Sequence, residues 1–262
     1  MLSLVKCEFW KLKRRKFFYF VLIASLLFPL ALSFLLKTPL IAQRYENNAA
    51  LYNELWVNII GFGIQFLLPA MLGIIATMLF FVERDNDTFK ALRTIPVTSR
   101  QMVLSKIIVV FIISIVFAML SNLFCILLGS IFFEFNGTLQ QFWIALFNGI
   151  FIAAGTLPLI IIIVLFSKNY IFSVLLTVFY TILSFGIIPL NPIMPSIIYR
   201  FIPITMTTFW TQGMVNKIGI IDSDLMEMSR LIPSTMNISV YMLIIGIVSI
   251  IAMVKLYERW EG

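Results

Sequence analysis

The chain has 262 residues, of which 61% are hydrophobic and only 12% charged, and its formal net charge is +7. Soluble domains average about a quarter charged residues, so this composition excludes an ordinary soluble protein and indicates a polytopic membrane protein. The positive charge does not indicate nucleic-acid binding, because the basic residues lie beside the apolar runs, where such residues set topology and contact anionic membrane lipid.

The residue types that carry most enzyme chemistry are scarce. There is no histidine, which excludes every mechanism that needs an imidazole. Cys7 and Cys125 are far apart, and we expect one at the cytoplasmic face and the other inside the membrane, so neither a disulfide nor a thiolate metal site is indicated. We predict no catalytic residue, no metal site and no nucleic-acid contact, and an intramembrane enzyme is the weakest of the alternative functions.

The first sixteen residues predict an amphipathic helix rather than a cleaved signal peptide, because the apolar run that follows is of membrane-spanning length. Leu2, Val5, Phe9 and Leu12 recur at steps of three, four and three, which places them on one helical face. Most of the basic residues lie off that face. We expect this helix to lie in the membrane interface and to lead into the first span. A merely basic flank is the alternative.

Apolar runs long enough to cross a bilayer recur along the chain. A membrane-spanning helix needs about 20 apolar residues, and by that measure the sequence predicts six spans, at 17–36, 57–82, 103–129, 142–166, 171–190 and 237–254. With a cytoplasmic N-terminus, the inner segments hold 14 of the 19 lysines and arginines: six in 1–16, five in 83–106, Lys168 and two after the last span. Both termini are therefore predicted to be cytoplasmic.

The central part of every predicted span is free of Asp, Glu, Lys and Arg. A charge at the bilayer centre costs roughly 2.5–3.5 kcal/mol on insertion scales, so it is retained only where function requires it. Transporters driven by protons or ions commonly retain such a residue. If this protein is a transporter, we expect its energy to enter from outside the membrane. Pro29, Pro69 and Pro158 lie inside spans and are expected to bend them.

The third span carries a stripe of small residues, which lets another helix approach closely. Its members recur at steps of four, three, four and four: Ser114, Ala118, Ser121, Cys125 and Gly129. Asn122 lies beside the stripe, and Asn148 begins a second patch of small residues on the fourth span. These residues are candidates for helix packing within one bundle, or for an interface with a second permease copy along which a substrate path would run.

The segment 191–236 is the largest predicted outside the membrane, and prolines interrupt it repeatedly. Its apolar stretches near 197–204 are too short and too interrupted to span a bilayer, so we expect re-entrant or interfacial helices that cap the outer mouth. Residues 222–230 predict a further short helix, with Asp222 or Ser223 as its N-cap.

A short polar stretch, 83–96, separates the second and third spans. It predicts a short amphipathic helix in which Phe89 and Leu92 share one face and which Pro96 ends. Residues 98–101 then form an S/T-x-x-E/Q capping box that predicts the start of the third span. An exposed Phe and Leu are natural anchors for a groove in a partner protein. A helix resting on lipid is the alternative.

The sequence from Glu83 to Lys106 resembles the corresponding part of proteins of the ABC type-2 permease family. The resemblance rests on Glu83, Thr88-Phe89-Lys90-Ala91-Leu92, Pro96-Val97-Thr98 and Ser105-Lys106. The opening residues Lys6 to Arg14 are similar to lantibiotic and bacitracin immunity permeases and to permeases that export phenol-soluble modulins. The family implies an all-α polytopic membrane protein, a single permease domain (1–262) with six transmembrane helices. Its further parts would be an amphipathic elbow helix (1–16), a cytoplasmic coupling helix (83–96) and re-entrant helices (191–236) before the last span.

Carried over to this sequence, the resemblance assigns ATPase coupling to five residues: Glu83, Thr88, Phe89, Leu92 and Arg93. Phe89, Leu92 and Arg93 would insert into a nucleotide-binding subunit. Glu83 would lie at the hinge that relays motion to the second span, and Leu2 to Leu12 would form the elbow helix. The sequence has no Gly-x-x-x-x-Gly-Lys-Ser/Thr motif for nucleotide phosphates. ATP and Mg are therefore expected in a separate ABC ATPase subunit, with no cofactor in this chain.

The resemblance thus implies the permease subunit of an ABC exporter in the bacterial plasma membrane. It would form a homodimer or a heterodimer with a sister permease, together with two ATPase subunits. Its expected cargo is an amphipathic peptide, such as a lantibiotic, another antimicrobial peptide or a secreted toxin peptide, and its expected role is export or immunity. A permease for drugs or lipid-linked glycans is the first alternative. A non-transporting membrane sensor or assembly protein is the second.

Overall fold

The computed structural model describes residues 1–85, 97–137, 139–166, 169–190, 195–220 and 231–261. Throughout these ranges the regular elements are helices, which confirms the predicted all-α class. The environment explains this outcome. Inside lipid every backbone N–H and C=O must be hydrogen-bonded by the protein itself, and a helix achieves this within one segment.

Six of the described helical segments are long and apolar enough to cross a membrane: Lys16–Leu36, Asn48–Phe81, Ser99–Phe132, Leu139–Leu165, Tyr170–Leu190 and Thr235–Arg259. This confirms the six predicted spans in number and order. The second and third spans are longer than predicted, because helix continues from the apolar run into polar residues at their ends.

Helix α1 (Leu2–Lys13) is the predicted N-terminal helix. Val5 and Leu12 on its apolar face are buried, Phe9 is half-buried, and Leu2 is 88% exposed. The face that packs on the bundle also buries Glu8, which the apolar pattern did not predict. Helix α2 (Lys16–Leu36) follows directly and forms the first span. A single turn, α3 (Pro39–Ala42), connects it to the second span.

The second span changes its helical geometry part-way along. It consists of α4 (Asn48–Asn58), a π segment (Ile59–Leu67) and α5 (Leu68–Asp85). Before the π segment, Asn58 Nδ2 donates to the carbonyl oxygen of Glu54 at 2.8 Å, in competition with the backbone N–H that bonds there in an α-helix. After it, Pro69 has no N–H to donate. Both effects disfavour the regular α-helical ladder and favour the wider π turns between them.

Helix α6 (Ser99–Phe132) forms the third span and begins on the predicted capping box. The Thr98 hydroxyl accepts from the Gln101 backbone N–H at 3.4 Å, and Gln101 Oε1 accepts from the Thr98 backbone N–H at 3.1 Å. Helix α7 (Leu139–Leu165) forms the fourth span and is the most buried of the six. It packs against α5, α6 and the last span, so it lies at the centre of the bundle.

The remaining described elements are α8 (Tyr170–Gly186), a 3-10 turn (Ile188–Leu190), α9 (Ser196–Phe201), α10 (Pro203–Lys217) and α11 (Thr235–Glu261). Helices α9 and α10 fall where the sequence predicts helices interrupted by prolines. Helix α10 packs against α7, so it belongs to the bundle rather than to an outer domain. The helix predicted at 222–230 lies outside the described residues.

Helix α10 is buried although its sequence looks polar. Thr207 and Thr208 are at most 4% exposed, and their hydroxyls donate to the carbonyl oxygens of Pro203 and Ile204, one turn earlier. This back-bonding satisfies the hydroxyls within the helix. The helix can therefore pack against apolar neighbours without leaving these polar groups unpaired.

Candidate functional site

A buried cluster of charged side chains joins α1 to the third span. Lys106 Nζ lies 3.2 Å from Glu8 Oε2, and Lys11 Nζ lies 2.7 Å from Glu8 Oε1. The Lys106 side chain is fully buried, the Glu8 side chain is 8% exposed and the Lys11 side chain is 45% exposed. We call these three residues the Glu8 cluster. A buried charge is tolerated only when it is paired, so Glu8 and Lys106 depend on each other, and their contact links α1 to the third span.

The Glu8 cluster also contacts the second span and, through it, the last. Lys106 Nζ donates to the carbonyl oxygen of Leu79 at 2.9 Å and lies 5.5 Å from the centre of the Phe80 ring. The Phe80 ring packs edge-on against Tyr257 of α11, with ring centres 5.8 Å apart. Helices α1, α5, α6 and α11 therefore meet at one end of the bundle. This is the end where the chain leaves the second span and enters the third.

The predicted coupling stretch is attached at this end. Five residues predicted to contact an ATPase lie on it or beside it: Glu83, Thr88, Phe89, Leu92 and Arg93. The last four fall in 86–96, outside the described residues, and the side chain of Glu83, near the end of α5, also lies outside the described part. Their coupling roles stay predictions.

The stripe of small residues predicted on the third span is buried inside the chain. All five members are buried: Ser114, Ala118, Ser121, Cys125 and Gly129. Ser114 Oγ donates to the Gly149 carbonyl oxygen at 2.6 Å, and Ser121 Oγ donates to the Ser25 carbonyl oxygen at 3.1 Å. The stripe thus packs against the fourth and first spans. These contacts favour helix packing within one bundle over an interface with a second copy at this stripe.

Two buried asparagines connect separate helices through hydrogen bonds. Asn122 Oδ1 accepts from Trp56 Nε1 at 2.9 Å. Asn148 Oδ1 accepts from Thr211 Oγ1 at 3.0 Å and from Gln65 Nε2 at 3.4 Å. Asn148 therefore links the fourth span to the π segment and to α10. The Asn148 carboxamide is stable in this position because its Nδ2 also has a partner, the Ile144 carbonyl oxygen at 2.9 Å.

A cavity of about 220 Å³ opens beside Asn148, between the second span, the end of the fifth span and α10. Its lining is mostly apolar, with polar side chains at Gln65, Thr208, Thr211 and Gln212. Gln65 and Thr211 reach both the cavity wall and Asn148, so the predicted polar position and the cavity form one connected site. We call it the Gln212 cavity. It lies toward the end of the bundle opposite the Glu8 cluster.

Gln65, Thr211 and Gln212 were not predicted as site residues. Gln65 interrupts an apolar run, and that interruption was the available signal. Thr211 and Gln212 lie in a segment without a clear apolar period, so nothing in the sequence places them against the fourth span. In the ranges that the structure describes, no three acidic, histidine or cysteine side chains cluster as metal ligands would.

A family model described as ABC-2 family transporter protein matches residues 4–184. The match covers more than half of the chain, from α1 into the fifth span. It includes the Glu8 cluster, the stripe of small residues, Gln65 and Asn148, and it ends before α10. No curated protein matches the chain.

Proposed function

The chain belongs to the ABC-2 family of transporter proteins, and from this premise we propose that it exports amphipathic antimicrobial or toxin peptides. Family membership makes the chain a multi-pass membrane permease and implies an ABC ATPase as its partner. The permease would pair with a second copy or a sister permease in the bacterial plasma membrane. ATP and Mg would bind to the partner ATPase.

The distribution of charge is the observation that carries this proposal. In the described part of the chain, the buried charged residues are Glu8 and Lys106, and both lie at the end of the bundle beside the coupling stretch. A transporter driven by ions commonly keeps an ionisable residue along its path. Here the buried charges instead lie where an ATPase on one face of the membrane would act.

The Gln212 cavity supports a peptide cargo over a lipid-linked glycan. A lipid-linked glycan carries phosphates and many hydroxyls, and its recognition favours basic side chains. In the part of the chain that the structure describes, the lining of this cavity is apolar apart from two carboxamides and two hydroxyls. An amphipathic peptide offers apolar side chains together with backbone amides, and these match that lining.

The coupling stretch is expected to be needed for both assembly and resistance. Replacing Phe89 and Leu92 together by alanine removes the two apolar anchors of the predicted docking helix. The variant permease should lose its ATPase partner, and cells that carry it should lose tolerance to an added antimicrobial peptide while their surface glycans stay unchanged. Co-purification from native membranes and a peptide-tolerance assay measure the two effects.

A matched control replaces two strongly exposed apolar side chains elsewhere, Leu139 at 77% and Phe201 at 78%, by alanine. This control should keep both the ATPase and the tolerance. An ATPase that stays bound to the Phe89 and Leu92 variant contradicts the docking role. Loss of the ATPase with full tolerance would indicate a non-transporting sensor, and altered surface glycans would indicate a glycan permease.

We infer that both termini and the stretch 83–96 face the cytoplasm, since most lysines and arginines fall in the segments on that side. The test is a cysteine in place of Asn86, in a variant whose exposed Cys7 is replaced by serine. A membrane-impermeant maleimide should label it in inside-out vesicles and not in intact cells. Labelling of intact cells would overturn this topology.

A further inference from the structure

A second cavity, of about 320 Å³, lies where the fourth and last spans begin. The start of α7, the end of α10 and Thr235, the first residue of α11, form its wall. Lys217 is the one charged side chain among the described residues of this lining, and we call the cavity the Lys217 pocket. We propose that it binds an anionic phospholipid of the surrounding membrane, whose phosphate contacts the Lys217 ammonium group.

The wall of the Lys217 pocket changes from polar to aromatic with depth. On α7, Gln140 lies in the first turn, and Phe147 lies two turns further along, about 10 Å deeper. On α10, Lys217 is the last residue, and Trp210 lies two turns before it. The Phe147 and Trp210 rings pack edge-on with their centres 6.0 Å apart, so they lie at the same depth. A phospholipid has the same order, with a charged headgroup above apolar chains.

The charge of Lys217 selects an anionic headgroup. Lys217 is exposed, and within the described part of the chain it forms no ion pair, so its ammonium group can meet a ligand. Phosphatidylglycerol carries only the negative charge of its phosphate. Phosphatidylcholine carries a cation of its own, which the lysine would repel. Basic pockets between transmembrane helices bind anionic lipid headgroups for the same reason.

Two tryptophans in the lining indicate the depth of the pocket in the membrane. Trp143 is 54% exposed, and Trp210 is buried and donates its Nε1–H to Thr235 Oγ1 at 3.1 Å. Tryptophan is enriched at the boundary between lipid and water, because its ring is apolar and its N–H is polar. Since Thr235 satisfies the indole N–H, Trp210 contributes apolar ring surface to the wall. The pocket therefore lies at the depth of the lipid headgroups.

This inference does not depend on the peptide cargo and is tested on the full chain in phosphatidylcholine vesicles. The probe is a small fraction of phosphatidylglycerol that carries a photoactivatable group in its acyl chain. After irradiation, mass spectrometry of proteolytic fragments measures the lipid attached to the two stretches that line the pocket, 139–147 and 210–218. We expect Lys217→Gln to lower this attachment about fivefold, because it removes the one cation that faces the phosphate.

Two variants are the controls. Lys37→Gln makes the same change outside the pocket, at a lysine whose Nζ lies 4.4 Å from the centre of the Phe132 ring, at the end of α6. Lys217→Arg keeps the positive charge in the pocket. Both should retain the wild-type attachment to the two stretches, and an unchanged thermal midpoint shows that each variant is folded.

Three results would overturn the assignment. Unchanged attachment in Lys217→Gln, or equal attachment of a photoactivatable phosphatidylcholine to the wild-type chain, would show that any acyl chain fills the pocket. Displacement of the probe by an excess of inorganic phosphate would identify a site for a free anion, since phosphate offers no apolar chain. Displacement by an amphipathic peptide with a free C-terminal carboxylate, but not by its amidated form, would assign the pocket to the end of a peptide.

Discussion

Replacing Glu8 by leucine is expected to lower the free energy of unfolding by about 1.5–3 kcal/mol, the usual contribution of a hydrogen bond to a charged group. Lys106 is fully buried and would lose the carboxylate that now lies 3.2 Å away, and Lys11 would lose the same partner. Thermal unfolding of the purified protein in detergent micelles, followed by tryptophan fluorescence, measures the loss.

Two further variants show whether charge pairing is the cause. Lys11→Met removes the half-exposed member of the Glu8 cluster and should cost only about 0–1 kcal/mol, as exposed ion pairs do. Glu8→Leu combined with Lys106→Met replaces the buried pair by apolar side chains, which often costs little, so it should recover most of the stability. A double variant as unstable as Glu8→Leu would show that the loss does not come from leaving the Lys106 ammonium group without the Glu8 carboxylate.

The spans were predictable because the bilayer imposes a simple rule of length and apolarity. The start of α6 was predictable because a capping box is a local signal, and Thr98 and Gln101 make both of its hydrogen bonds. The π segment was not predictable by the same means. It depends on competition for the Glu54 carbonyl and on the missing N–H of Pro69, and neither effect changes hydropathy.

The candidate site was predictable only where one residue carried the signal by itself. Asn148 stands out because a polar side chain inside an apolar run needs a partner. Its partner Thr211 is 63 residues away, on a helix where two other threonines donate to backbone carbonyl oxygens. The same limit applies to Glu8, whose buried partner Lys106 is 98 residues away. Pairings of this kind depend on tertiary packing, which a single sequence does not show.

The close approach of the third and fourth spans is the source of a second large expected effect. A Cβ on Gly149 would lie 3.0 Å from the Ile115 Cα and 3.3 Å from the Ser114 carbonyl oxygen. Both are backbone atoms, which cannot rotate away as a side chain can, so a larger residue must push the two helices apart. Separation would also stretch the 2.6 Å bond from Ser114 Oγ to the Gly149 carbonyl oxygen.

Gly149→Leu is therefore expected to lower the free energy of unfolding by at least about 3 kcal/mol, the upper end of the usual cost of overpacking. The thermal midpoint and the yield of folded protein in the membrane measure it. The control, Gly246→Ala, should be neutral or stabilising, because its Cβ would meet only a Leu157 methyl group at 3.9 Å and alanine favours helix by roughly 0.5–1 kcal/mol. Ser114→Ala should cost about 0.5–1.5 kcal/mol. If Ser114→Ala costs as much as Gly149→Leu, the hydrogen bond rather than the close approach holds these spans together.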